Sequence, residues 1–268
     1  MLVSLLLFCI AILLYIFANR CRKGHPGLQN LQGWNYAHRG LHGNGIPENS
    51  MAAFRAALEA GYGIELDIHL LKDGNLAAIH DHSLLRTAGV DVKIEDLTTE
   101  DLQQYRLEGT TEKIPTFRQV LELFDGKAPL IVELKAIDNN YGALVDAAMA
   151  QLQEYSGPYC VESFDPRCVL YLKKHYPQVI RGQLSENFLK SPAKIPWILK
   201  FLITHQLGNF LLQPDFVAYK FADRKNLGNF LVRKLWRVQG VAWTLKDPSQ
   251  LEKAEKEGWI PIFEDFTP

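Results

Sequence analysis

Gly63-Ile64-Glu65-Leu66-Asp67-Ile68-His69-Leu70 alternates strictly: Ile and Leu fill every even position, while Glu65, Asp67 and His69 share the other face. A period of two predicts a strand over 63–70 with two carboxylates side by side. An exposed antiparallel strand would show the same pattern. Pro129-Leu130-Ile131-Val132-Glu133-Leu134-Lys135 shifts the balance, because this strongly apolar run puts Glu133 and Lys135 on one face at its C-terminal end. That is where the functional side chains of α/β barrels gather, and three converging carboxylates suit a hard divalent cation.

Outward from these two runs, strands are predicted at 35–38, 76–80, 158–163, 178–184, 215–219, 240–245 and 259–264, alternating with helices at 50–60, 116–124, 141–154, 165–174, 225–236 and 249–257. Alternation of this kind predicts parallel βα units. The span from Trp34 to Pro268 is about the size of a TIM (β/α)8 barrel, although nine candidate strands exceed its positions by one. Lys72-Asp73-Gly74 reads as a turn too short for a crossover helix, so 63–70 and 76–80 pair as a hairpin or cross over unusually tightly. The hairpin would set His80 roughly opposite Glu65. Residues 84–115 read as a small helical insertion after the third strand, and 50–60 opens on Ser50, a helix-capping residue.

The chain has 268 residues, of which 47% are hydrophobic and 22% charged, enough for one large core. A net charge of −1 with scattered Lys and Arg excludes a nucleic-acid partner. Cys9, Cys21, Cys160 and Cys168 show no Cys-x-x-Cys spacing and read as reduced. Leu2 to Ala18 is apolar apart from Ser4, predicting a transmembrane helix over 1–19. Arg20, Arg22 and Lys23 follow it, which places a catalytic domain at 34–268 in the cytoplasm, beyond a juxtamembrane tether at 20–33. A cleaved signal peptide is the rival, but Phe17-Ala18-Asn19-Arg20 lacks the small-x-small site. Within Ile195 to Leu212, Trp197, Ile198, Phe201 and Leu202 recur at helical spacing. They fit a buried insertion helix, or a surface resting on the membrane that admits lipid-tailed substrates.

His38-Arg39-Gly40 closes the first strand and His80-Asp81-His82 closes the run at 76–80. A strand-end histidine alone is more often a surface or structural residue, and Arg39 alone fits a surface cation. Together, two histidines held across a scissile bond would serve as base and acid, and a guanidinium fork matches phosphate oxygens.

His38-Arg39-Gly40, Pro47-Glu48-Asn49-Ser50, Glu65-Leu66-Asp67, Lys72-Asp73-Gly74, His80-Asp81, Leu85-Arg86-Thr87, Ile114-Pro115-Thr116, Glu133-Leu134-Lys135, Ser163-Phe164 and Trp243-Thr244 occur in that order. In this the chain resembles the glycerophosphodiester phosphodiesterase family over about residues 34 to 265. The resemblance implies a TIM barrel that hydrolyses glycerophosphodiesters to sn-glycerol 3-phosphate and an alcohol. It implies Mg²⁺ or Ca²⁺ on Glu65, Asp67 and Glu133, His38 as proton acceptor and His80 as proton donor. Arg39 would contact phosphate, Lys135 would add charge beside it, Glu48 would sit at the rim, and Trp243 would belong to the substrate pocket. In similar enzymes the glycerol 2-hydroxyl attacks phosphorus and water opens the resulting cyclic phosphate. The chain departs from the family at Lys246-Asp247, where an Asn is usual, and at Glu264-Asp265-Phe266, where Thr-Asp is usual. Alternatives left open are a lysophospholipase D acting on lysolipids, a phosphoinositide or polymeric glycerol phosphate substrate, and a catalytically silent scaffold.

Overall fold

The structure is a computed structural model and describes residues 2–268. Nine strands share one sheet, and eight of them run parallel and close on themselves. These are β1 (Tyr36–His38), β2 (Gly63–Leu70), β4 (Leu130–Leu134), β5 (Tyr159–Ser163), β6 (Arg181–Ser185), β7 (Phe216–Lys220), β8 (Gln239–Leu245) and β9 (Trp259–Phe263), with β1 bonded to both β2 and β9. This is the expected TIM barrel. The surplus candidate is the run at 76–80. Its strand β3 (Leu76–Ala78) pairs antiparallel with the far end of β2, Ile68 against Ala78. The hairpin alternative is therefore the one that forms. Continuing its register sets His80 across from Leu66, one step from the expected Glu65.

The chemistry of the sequence places the two faces of β2. Ile64, Leu66 and Ile68 point outward into the layer of helices, packing in one core with Phe54 and Ala57 of α2 (Met51–Glu59) and Phe117 and Val120 of α4 (Phe117–Phe124). Glu65, Asp67 and His69 point the other way and are also buried, which rules out an exposed antiparallel strand. Ser50 caps α2 as expected, accepting from the Ala53 amide. The insertion folds as a short helix, α3 (Leu85–Ala88), with three 3-10 turns over a satellite core that includes Leu84, Ile94, Leu102 and Ile114. The remaining crossover helices are α5 (Tyr141–Leu152), α6 (Pro166–His175), α7 (Trp197–Thr204), α8 (Asn209–Leu212), α9 (Leu227–Phe230) and α10 (Pro248–Lys256). All four cysteines are free.

The N-terminal region corrects two expectations. Leu2–Ala18 is one helix, α1, and side chains 2–14 are exposed. Its 17 residues rise only about 26 Å against a hydrocarbon core of ~30 Å. Among the described residues no helix is long and apolar enough to cross a membrane. Residues 20–33 are packed on the barrel instead of trailing from it. Arg22 makes a two-pronged pair with buried Asp215, Nε to Oδ1 at 2.5 Å and Nη2 to Oδ2 at 2.6 Å. Leu31, at the end of a 3-10 turn over Pro26–Leu31, packs with Tyr36 beneath the barrel. The Gly, Pro and Gln content that suggests a linker serves a turn and a plug. The C-terminal end of α1 is docked too: Tyr15 Oη lies 2.5 Å from His205 Nδ1, and Phe17 meets Phe210.

The stretch 195–212 is a third correction. In α7 only Thr204 is buried, whereas Trp197 is 68% exposed and Ile198 52%. The apolar face at helical spacing looks outward, not into a core.

Candidate active site

Strand register builds the site. Parallel pairing sets His38 beside Glu65 and Asp67 beside Glu133, and the same pairing of β1 with β9 brings His38 level with Glu264. Inward-pointing residues at the C-terminal ends of neighbouring strands therefore converge at one mouth of the barrel. Ligand atoms of Glu65, Asp67 and Glu133 all lie within 4.8 Å of one another.

The first loop wraps around them. Arg39 (φ 55°) and Asn49 (φ 49°) adopt left-handed backbone that side chains seldom accept. In return the Arg39 amide donates to Glu65 Oε2 at 3.2 Å and the Asn49 side chain to Asp67 Oδ2 at 2.9 Å. Gly40 (φ 79°) lets the loop press onto α2, where a Cβ would come within 2.9 Å of the Ala53 backbone. The Arg39 side chain spans from Asp67 Oδ2 (3.4 Å) to Glu48 Oε1 (3.0 Å). Lys135 Nζ sits between Asp67 Oδ1 (2.9 Å) and Glu133 Oε1 (2.7 Å).

Burial governs the electrostatics. It raises the Glu65 carboxyl well above the usual range, helped by Asp67, Glu133 and Glu162, and pushes Glu133 up to about 7 against the pull of Lys135. Burial would raise Asp67 as well, but Lys135, His80 and Arg39 together hold it far below the usual range. Three clustered carboxylates that resist sharing negative charge fit a divalent cation, which would relieve their repulsion. His38, His42 and Glu264 form a second cluster of metal-binding types. With a single carboxylate, already paired to Lys246, it suits a hard cation less well.

The two histidines differ. Burial, with Arg39, lowers His38 to about 3, so it is a neutral acceptor at neutral pH. His80 is also lowered by burial, with Asp67 and its bonded neighbour Asp81 pulling upward. His80 Nδ1 lies 2.6 Å from Asp81 Oδ1, and Arg86 holds Asp81 while forking onto Glu48. His69, on the carboxylate face of β2, turns to Glu95 of the insertion (2.6 Å) and to the His80 carbonyl (3.1 Å). It braces His80. Trp243 stands on β8 with its ring edge-on to Phe164, 5.6 Å between centroids, and Phe164 lines the cavity beside Glu133 and Lys135.

His38, Arg39, Glu48, Glu65, Asp67, His80, Glu133 and Lys135, all expected at the site from their motifs, are linked in one network by strand pairing and the contacts above. Asn49, Asp81, Arg86, Glu95 and Glu264 join them without having been expected there. Asn49, Asp81 and Arg86 lie inside quoted motifs, so their positions were a signal. Glu95 and Glu264 reach the site only through folding.

Residues 38–268 match the family model described as glycerophosphoryl diester phosphodiesterase family. The chain belongs to this family. A glycerophosphodiester phosphodiesterase of Caldanaerobacter subterraneus subsp. tengcongensis is 34% identical over 239 residues, covering 85% of this chain and 92% of the relative. A lysophospholipase D of Homo sapiens is 35% identical over 117 residues, 39% of this chain and 36% of that one. Among solved structures, an Oleispira antarctica phosphodiesterase in complex with the product sn-glycerol-3-phosphate superposes with a TM-score of 0.70 at 23% identity, covering 86% of this chain and 92% of that one. As a glycerophosphodiester phosphodiesterase, this chain is an enzyme that hydrolyses glycerophosphodiesters.

Proposed function

We propose that the enzyme is metal-dependent, with Glu65, Asp67 and Glu133 holding Mg²⁺ or Ca²⁺, His38 acting as base and His80 as acid. The observation that carries this reading is the convergence of three buried carboxylates beside His38. The cation, when bound, supplies charge to neutralise phosphoryl oxygens. Arg39 and Lys135, both ion-paired with Asp67, hold further positive charge where those oxygens become more negative in the transition state. His38 takes the proton of the substrate's 2-hydroxyl, whose oxygen bonds to phosphorus as the ester bond to the leaving alcohol breaks. His80, its Nδ1 held by Asp81, delivers a proton to that alcohol. The anionic phosphodiester raises the proton affinity of His80 on binding. Water then attacks phosphorus and gives its proton to His80 while the bond from phosphorus to the 2-oxygen breaks and that oxygen takes back the proton held by His38, giving sn-glycerol 3-phosphate and restoring both histidines. The full chain, incubated with glycerophosphocholine and Mg²⁺ or Ca²⁺, is expected to release sn-glycerol 3-phosphate and to stop on chelation. Release that persists after exhaustive chelation would overturn the metal role.

A second reading, action on lysolipids as a lysophospholipase D, is favoured by one further observation. A cavity of about 1190 Å³ runs from His80, Glu133 and Lys135 to an apolar wall of Phe188, Leu199, Leu202 and Phe210. Leu211, which lines it, is exposed, as are Trp197 and Ile198 on the same helix as Leu199 and Leu202, and Phe210 meets Phe17 at the docked end of α1. These features support attachment to a membrane surface through α1 and α7 together. Substituting Leu199 and Leu202 by Arg is expected to cut turnover of lysophosphatidylcholine by ~10-fold or more, about the worth of one buried leucine. Glycerophosphocholine turnover should hold, and an equal loss on both substrates would count against an acyl-chain wall.

A further inference from the structure

Glu264 follows the last barrel strand, at one of the two places where the sequence departs from its family. Lys246 stands at the other. In the fold the two departures meet: Lys246 Nζ pairs with Glu264 Oε2 and lies 2.9 Å from Asp265 Oδ2. The opposite oxygen of the same carboxylate, Oε1, lies 3.2 Å from His38 Nδ1 and 3.0 Å from His42 Nε2. Glu264 is thus fixed between Lys246, His42 and His38, with its side chain only 12% exposed. On its other side the His38 ring presents Nε2 toward the metal-site carboxylates, 3.8 Å from Glu65 Oε2. His38 Nδ1 is buried and makes no aligned hydrogen bond among the described residues, so the Glu264 carboxylate at 3.2 Å is an ionic neighbour that a small turn of the ring would engage.

We propose that Glu264 is a positioning residue for His38, held in place by Lys246. Its carboxylate keeps the ring proton on Nδ1 and fixes the ring plane, so the lone pair on Nε2 faces the reacting hydroxyl. A carboxylate behind an imidazole selects the tautomer and supports the imidazolium that forms when the ring accepts a proton. Lys246 holds Oε2, which turns Oε1 toward His38 Nδ1 and His42 Nε2. The paired departures then read as one unit at the rear of the catalytic base. This inference rests on His38 being the proton acceptor.

The test uses the full chain. Long-range ¹H–¹⁵N correlation on histidine-labelled, metal-free protein reads the His38 tautomer directly, with His38→Ala assigning the signal. The Nδ1–H tautomer is expected in the native chain, with loss of that preference in Glu264→Ala. With glycerophosphocholine at saturating metal, Glu264→Ala and the shape-preserving Glu264→Gln are expected to lower kcat by ~10- to 100-fold. KM should stay within ~2-fold, as for a group acting in the transition state. Lys246→Met should give a smaller fall in the same parameter. A native Nε2–H tautomer, or an unchanged kcat in both Glu264 variants, would overturn the inference and leave the base assignment standing. Full activity in His38→Ala would overturn both.

Discussion

His38→Ala is expected to lower kcat by ~10²- to 10⁴-fold, the range for losing a positioned general base. The fold should survive, because His38 lies at the mouth of the barrel and the cores on either side of β1 are built by Tyr36 and Ala37. Metal affinity should survive too, since the side chain touches the carboxylate cluster only through Glu65 at 3.8 Å. Three measurements together check this: circular dichroism for the fold, calorimetric titration with Mg²⁺ or Ca²⁺, and the rate of sn-glycerol 3-phosphate release. Loss of activity accompanied by loss of metal binding would move His38 from proton transfer to the metal site.

Lys135→Met is expected to cost stability as well as rate. Lys135 Nζ lies within 3 Å of both Asp67 and Glu133, and all three side chains are at most 15% exposed. Removing the cation leaves two carboxylates in a low-dielectric site with Arg39 as their main remaining counter-charge. Breaking a buried ionic cluster on one side costs ~3–5 kcal/mol. Chemical denaturation in the presence of chelator should show that loss. Added Mg²⁺ or Ca²⁺ should recover more stability in the variant than in the native chain, because the ion then supplies the missing positive charge. A variant as stable as the native chain under chelation would mean that the carboxylates take up protons instead of suffering the unpaired charge. Activity should remain low even with metal restored if Lys135 also carries its proposed role of facing the phosphoryl group.

The course of the chain was legible wherever local periodicity meets a single tertiary environment. Strand 63–70 was read at its observed limits because its outward face is uniformly aliphatic and its inward face carries the chemistry. Seven further parallel strands lie within a few residues of their expected positions. The surplus strand could not be assigned in advance, because 76–80 is as apolar as a barrel strand and only its short connection marks it as β2's hairpin partner. The stretch 195–212 shows the limit of amphipathic reading. Helical spacing of Trp197, Ile198 and Leu202 defines a face but says nothing of what lies across from it. The 20–33 segment has the composition of a linker yet packs on the barrel for a related reason: its anchors, Asp215 and Tyr36, are supplied by other parts of the chain.

By itself the sequence determined the barrel, its carboxylates and its two histidines, because each lies in a short motif whose spacing sets strand, face and order along the chain. Only the tertiary structure decided what stands behind those residues. Glu264 reaches His38 because the last strand closes against the first, and Glu95 reaches His69 because the insertion folds back over β2. Such partners are separated by 226 residues in one case and 26 in the other. No local pattern encodes a contact that exists only after the sheet has closed on itself.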